Sequence, residues 1–167
     1  MMGRPDTTTE LSELVRKRLN RLTPYWADEV LAFPTASRNA APRVDFMAFR
    51  PAWPIDPYQP APLVVEHGVF ECYEVKSCMA DFVSGNGLNF VGDRNYLVCE
   101  SALADRLYEE QRILHGVEVL VPDRPRRRLV TRYHDGSPIS RREQSSSALL
   151  MCLLMRMSAR GGAEEGV

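Results

Sequence analysis

Five prolines, Pro51, Pro54, Pro57, Pro60 and Pro62, stand close together in this 167-residue chain and impose its most severe conformational constraint. Proline fixes φ and lacks an amide hydrogen, so the segment from Pro51 to Pro62 suits neither a helix interior nor a central strand. It reads as a connection. A strand-like run precedes it, Arg43-Val44-Asp45-Phe46-Met47-Ala48-Phe49, and another follows it, Val69-Phe70-Glu71-Cys72-Tyr73-Glu74-Val75-Lys76. Joined by one loop, the two runs are expected to lie antiparallel, as a hairpin with an oversized connection.

Local signals place the other elements. Thr7-Thr8-Thr9-Glu10 has capping-box spacing, and Leu11, Leu14, Val15, Leu19 and Leu22 keep the helical period, which predicts a helix over residues 8–22, ended by Pro24. Glu29 to Phe33 is a short strand stopped by Pro34, and Thr35 to Pro42 is a loop. Glycines in Ser84-Gly85-Asn86-Gly87-Leu88-Asn89-Phe90 argue against a regular helix there. Strands are predicted over 94–99, 116–121 and 127–133, helices over 101–114 with Ser101 as cap and over 145–158, and a turn at Asp135-Gly136. This order is an α/β layout. The length suits one domain, residues 1–159, able to bury roughly 70% of its unfolded surface, and residues 160–167 are expected to form a disordered tail.

The only lysines are Lys17 and Lys76, and Lys76 closes the tripeptide Glu74-Val75-Lys76. Strand alternation puts Glu74 and Lys76 on one side and turns Val75 to the other. Asp45 sits among apolar residues of the preceding strand, where an unpaired charge is costly to bury. Neighbouring strands are about 4.8 Å apart, so Asp45 and Glu74 can both reach one Mg²⁺, with the Val75 backbone carbonyl completing the oxygen set. Phosphodiester hydrolysis needs a nucleophilic water, neutralised non-bridging oxygens and a stabilised leaving group, and a divalent metal can serve all three. Lys76 then orients or deprotonates the water and counters the developing charge. The alternative is an ordinary Glu74–Lys76 edge pair beside a solvated Asp45.

These residues resemble the signature of the PD-(D/E)XK nuclease superfamily, with Asp45 as first acid, Glu74 as second acid and Lys76 as the lysine. Over residues 43–122 the stretches Tyr73 to Phe82, Gly92 to Val98 and Gly116 to Val121 are similar to the MmcB-type DNA repair branch and its phage-borne relatives. The resemblance implies a restriction-endonuclease-like α/β fold, a mixed central sheet flanked by helices. It also implies a Mg²⁺-dependent DNA endonuclease, in which Mn²⁺ can substitute, at work in DNA repair or in phage or mobile-element DNA processing. A first-helix acid often helps bind metal in that superfamily. Glu10 and Glu13 are available, and the capping box already accounts for Glu10. Ser77 and Asp81 follow the catalytic strand and match positions in relatives, which implies that they back the site; capping the chain's exit is their alternative role. The Gly/Asn segment is a departure, since a helix usually follows the lysine.

A formal net charge of −1 excludes a global positive field, so any DNA contact must be local. Candidates are the run Arg124, Arg126, Arg127, Arg128 and Arg132, continued by Arg141 and Arg142, as a phosphate track. Asn86 and Asn89 join them, on a glycine-bearing loop able to approach a ligand closely. A solvated arginine face and simple turn chemistry are the alternatives. His67, His115 and His134 have no metal-triad spacing, and no serine-hydrolase motif occurs. Cys72, Cys78, Cys99 and Cys152 lack C-x-x-C spacing and read as reduced thiols in a cytoplasm. No membrane association is expected, because the longest apolar run, Ala148 to Met155, is far short of the roughly 20 residues that span a bilayer. That last helix, apolar nearly all round, either fills the core or forms a homodimer interface. The rival function is a non-cleaving nucleic-acid- or protein-binding module on the same fold, which the missing positive charge favours.

Overall fold

One mixed sheet, its six strands side by side in chain order, organises the computed structural model, which describes residues 6–32, 42–56, 58, 61–134 and 142–164. The elements are α1 (Thr7–Leu22), β1 (Trp26–Leu31), β2 (Arg43–Arg50), α2 (Ala61–Glu66), β3 (Val69–Lys76), α3 (Met79–Val83), β4 (Arg94–Cys99), α4 (Ser101–Glu109), β5 (Val117–Pro122), β6 (Leu129–Tyr133) and α5 (Ser146–Glu164). β1, β2 and β3 form an antiparallel meander, β3, β4 and β5 run parallel, and β6 returns antiparallel to β5. Parallel neighbours require crossovers, and the segments carrying α3 and α4 supply them.

Helix α1 covers one face. Its Leu11, Leu14, Val15 and Leu19 pack on Phe46, Ala48, Tyr73, Val75, Tyr96 and Val98. Alternation sends the intervening residues to the other face. There α5 lays Leu149, Cys152 and Leu153 over Val30, Met47, Phe49, Phe70 and Cys72, while Phe82 of α3 and Leu103 and Leu107 of α4 cover Leu97, Cys99 and Val119. Each fully buried leucine or phenylalanine contributes roughly 1.5–3 kcal/mol of transfer free energy. The sheet is thus a double-sided core with β3 near its middle.

The expected β2–β3 antiparallel pair is present, with Phe46 opposite Tyr73 and Arg50 opposite Val69. The connection is not all loop, because α2 forms at Ala61 with Pro62 in its first turn, where a missing amide breaks no helical hydrogen bond. Helix α1 is capped by Asp6, whose side chain accepts from the Thr8 amide at 3.4 Å, in place of the predicted Thr7 box. β1 begins at Trp26 and ends at Leu31, displaced from the predicted Glu29–Phe33. α4 stops at Glu109, and the chain then turns through Gln111 at φ 53°. Helix α5 continues to Glu164, through part of the segment read as a tail. It is not buried all round, since Met151, Leu154 and Met155 are exposed. No helix among the described residues is long and apolar enough to cross a membrane. Phe33, the loop through Pro34 and Thr35, the Asp135-Gly136 turn, Arg141 and residues 165–167 lie outside the described residues.

Candidate functional site

The β2–β3 ladder of Cα partners reaches Phe46 and Tyr73, and the same register carried one residue further sets Asp45 opposite Glu74. There a side chain takes over from the backbone. The Val75 amide donates to Asp45 Oδ2 at 2.8 Å. On the other side of β2, the position opposite Asp45 is Glu29, between the pairs Asp28–Phe46 and Val30–Val44, and its φ is 50°. A non-glycine residue in the left-handed region is strained, and such strain gathers where a fold shapes a site.

Glu74 is completely buried. Burial, then the neighbouring Asp45 charge, pushes its carboxyl up to about 9, against the opposing pull of the Asn89 amide and Lys76. Burial also raises Asp45 above the ordinary carboxylate range, although the Val75 amide and Lys76 work the other way. Glu74 Oε1 accepts from the Asn89 amide at 3.2 Å, whereas Oε2 is buried with no hydrogen-bond partner. An orphaned buried acceptor costs about 1–3 kcal/mol, and more when charged. Lys76 is 4% exposed. Its Nζ lies 3.4 Å from Asp81 Oδ1 and donates to the Asn86 carbonyl. Asp81 Oδ2 accepts from the Ser77 amide at 3.4 Å, so this α3 carboxylate brackets the end of β3.

The glycine-rich loop rests directly on these groups. A Cβ at Gly87 would stand 3.1 Å from Glu74 Oε2 and 3.5 Å from Lys76 Nζ, and the residue's φ is +69°. Space and backbone conformation both call for glycine here. Asn86 and Asn89, expected to contact DNA, hold the loop in place through the bonds to Lys76 and Glu74, and Asn89 Nδ2 also donates to the Arg43 carbonyl at 2.8 Å.

Asp45, Lys76 and Asp81 border a cleft of about 680 Å³, whose lining includes Arg16 of α1, Arg43 of β2 and Arg156 of α5. Arg16 and Arg156 pair with Asp28 of β1 at 3.4 and 3.3 Å, and the Arg156 Nε also donates to the Asp28 carbonyl. Asp28, Arg43 and Arg156 escaped sequence reasoning, because they come from β1, β2 and α5 and meet only in the fold. Glu13 does not line the cleft; its carboxylate pairs with Arg16 at 2.7 Å and is 55% exposed. No group of three His, Cys, Asp or Glu side chains suited to a metal occurs among the described residues. Of the residues expected to hold a metal, Asp45 and Glu74 stand opposite each other on β2 and β3, and Val75 lines the cleft. Two adjacent carboxylates, one with an unsatisfied buried oxygen, fit a hard cation.

The arginine run is largely spoken for by acids. Arg126 pairs with Glu10 at 2.7 Å and Glu100 at 2.8 Å, Arg132 with Asp105 at 2.9 Å and Arg142 with Asp93 at 3.1 Å. Glu10 is thereby tied to the β5–β6 turn. Arg128 reaches Asp123 at 3.4 Å, and with Arg127 it lies beside basic residues of α1.

No family model and no curated protein matches the sequence. Among solved structures the chain is similar to one described as "SPO1766 protein of unknown function from Silicibacter pomeroyi", with a TM-score of 0.54 and 14% identity, over 96% of this chain and 89% of that one. At that identity the likeness speaks for the fold alone, an α/β architecture extending over nearly the whole of both chains.

Proposed function

We propose that the protein is a metal-dependent DNA nuclease of the PD-(D/E)XK kind, using Mg²⁺ or Mn²⁺, with Asp45, Glu74 and Lys76 as its catalytic groups. The observation that carries this reading is Glu74, fully buried opposite Asp45 with Oε2 unsatisfied and Lys76 on the same face. Stability alone does not account for such a group, since a buried polar atom left without a partner costs free energy that an apolar side chain would not. The mixed sheet, with both acids on its β2–β3 pair, is compatible with the assignment.

Asp45, Glu74 and the Val75 carbonyl would hold the cation, which supplies charge neutralisation at the phosphodiester and a more acidic water. The Val75 amide orients the Asp45 carboxylate and the Asn89 amide orients Glu74 Oε1. Lys76, steered by Asp81 and the Asn86 carbonyl, orients the attacking water and counters charge on the phosphate. Arg16, Arg43 and Arg156 also border the cleft, each already paired with an acid of β1. DNA repair or phage and mobile-element DNA processing is the setting that the resemblance implies.

The test is paired calorimetry and plasmid nicking. Wild type binds Mn²⁺ and nicks supercoiled DNA, while Asp45→Asn and Glu74→Gln lose both with an unchanged far-UV spectrum. Undiminished Mn²⁺ binding in both variants removes the site assignment. One observation favours a second reading, a non-cleaving module: the Gly87 backbone lies on Glu74 and Lys76. If that loop never yields, wild type binds nucleic acid or a protein partner and cleaves nothing.

A further inference from the structure

Between α1 and the start of β6 lies a second concavity, of about 300 Å³. Its lining holds five cationic side chains, Lys17, Arg18, Arg21, Arg127 and Arg128, together with three leucines and no acid. In a chain of net charge −1 this is a pronounced local excess. Several arginines elsewhere find carboxylates, as Arg126 and Arg132 do. Among the described residues no ion pair engages Lys17, Arg18, Arg21 or Arg127, and Arg128 reaches only Asp123, at 3.4 Å. Lys17 and Arg21 are four residues apart on one helix, so their charges repel unless an anion lies between them.

The base of the concavity is built rather than loose. Arg18 Nε donates to the Tyr73 hydroxyl at 3.3 Å, and the guanidinium lies 5.5 Å from the centroid of the Tyr96 ring. Tyr73 stacks on Tyr96 and donates to the buried Glu71 at 2.6 Å, which pairs with Arg50 at 2.7 Å. This chain of contacts anchors one guanidinium before any ligand arrives, and planar guanidinium forks suit phosphate oxygens.

We propose that this concavity binds the phosphate backbone of a nucleic acid, with Arg18 as the anchored contact and Lys17, Arg21 and Arg127 as its partners. Cations spread over a helix and a separate turn suit a row of phosphates better than a single one. Helix α1 also lines the catalytic cleft, through Thr8, Ser12 and Arg16. One strand crossing a helix about 10–12 Å wide can therefore touch both concavities. The inference rests on the reading of that cleft as a nuclease site, and it assigns the grip on substrate to α1 in place of Arg126.

The test is anisotropy of a labelled DNA duplex in EDTA, titrated over a range of salt. With about four phosphate contacts, wild type gives a log–log slope near −3.6. The triple variant Lys17→Gln, Arg21→Gln, Arg127→Gln flattens that slope by about 2 to 3 units and weakens binding by at least about tenfold near 0.1 M salt. Arg127→Glu alone, a change at an exposed turn residue, weakens binding in the same direction and guards against misfolding of the triple variant. The measurement is made without metal, so a wild type that neither binds Mn²⁺ nor nicks DNA, which would end the nuclease reading, leaves the salt slope readable. An unchanged slope in the folded triple variant overturns the proposal, as does wild type that binds no DNA at low salt. Equal affinity for phosphatidylserine vesicles, lost in the same variant, also overturns it.

Discussion

The Val75 amide donates to Asp45 at 2.8 Å, so the acid of β2 is fastened to the residue that separates Glu74 from Lys76. One hydrogen bond thus couples the two halves of the candidate site. It stands where the ladder between the strands gives way, which leaves Asp45 at the cleft while its position relative to Glu74 stays fixed.

Gly85 and Gly87 make a controlled pair. Both have φ near 70°, but a Cβ at Gly85 meets nothing within 4 Å, whereas one at Gly87 meets Glu74 Oε2 at 3.1 Å. An alanine in the left-handed region costs about 1–2 kcal/mol. Gly85→Ala and Gly87→Ala are therefore both expected to lose about that much in denaturant unfolding. Only Gly87→Ala should also alter Mn²⁺ affinity and nicking, because only it presses on the carboxylate. Equal behaviour of the two variants would separate the loop from the site.

Glu74 gives the metal-free protein a pH signature. Its carboxyl titrates near 9 when folded, whereas in an unfolded chain it titrates near 4.3, roughly the ordinary glutamate value. Between these values the folded protein keeps a proton that the unfolded chain releases, so this group's contribution to stability falls as pH rises from about 4.3 toward 9. Glu74→Gln has no proton to lose. In EDTA the variant should gain on wild type between about pH 5 and 8.5 by several kcal/mol, at most about 1.4 kcal/mol for each pH unit, read from urea unfolding at the two values. Parallel stability curves would mean that Glu74 is charged and solvated.

Much of this site was legible before any coordinates. Asp45, Glu74 and Lys76 declare themselves by strand alternation, a local rule that survives folding because β2 and β3 pair through their backbones. Register is another matter. That Asp45 meets Glu74 depends on how the chain returns through α2, which proline chemistry marks as irregular without saying where a helix starts. The partner of Arg126 was illegible, since Glu10 is 116 residues away in sequence. The cap of α1 went to Asp6, one residue before the predicted threonine, because either side chain can reach a first-turn amide and sequence spacing does not separate them. The descent of Gly87 onto Glu74 is likewise tertiary: glycine announces freedom, and packing decides how it is used.

Lys76→Met keeps an apolar stem and deletes the charge in a pocket where Asp81 is its carboxylate partner. Asp81 is 37% exposed and can be rehydrated, so the variant should fold. Cleavage is expected to fall by about a hundredfold or more, with Mn²⁺ heat retained, if Lys76 serves the chemical step. Loss of metal binding together with cleavage would instead make Lys76 a structural support for the carboxylates.

Arg126 tests the division of labour among the basic residues. It bridges Glu10 of α1 and Glu100 at the start of α4, holding the β5–β6 turn against both helices, and its φ of 54° marks a strained position. Partly exposed ion pairs of this kind are worth up to about 1 kcal/mol each. Arg126→Gln should therefore lower stability by about 0.5–1.5 kcal/mol in urea unfolding. The salt slope of DNA binding should change by less than half a unit, because a guanidinium held between two carboxylates releases few phosphate counterions. A flattening of about one unit or more would return Arg126 to the DNA contact surface and shift the grip on substrate from α1 to the β5–β6 turn.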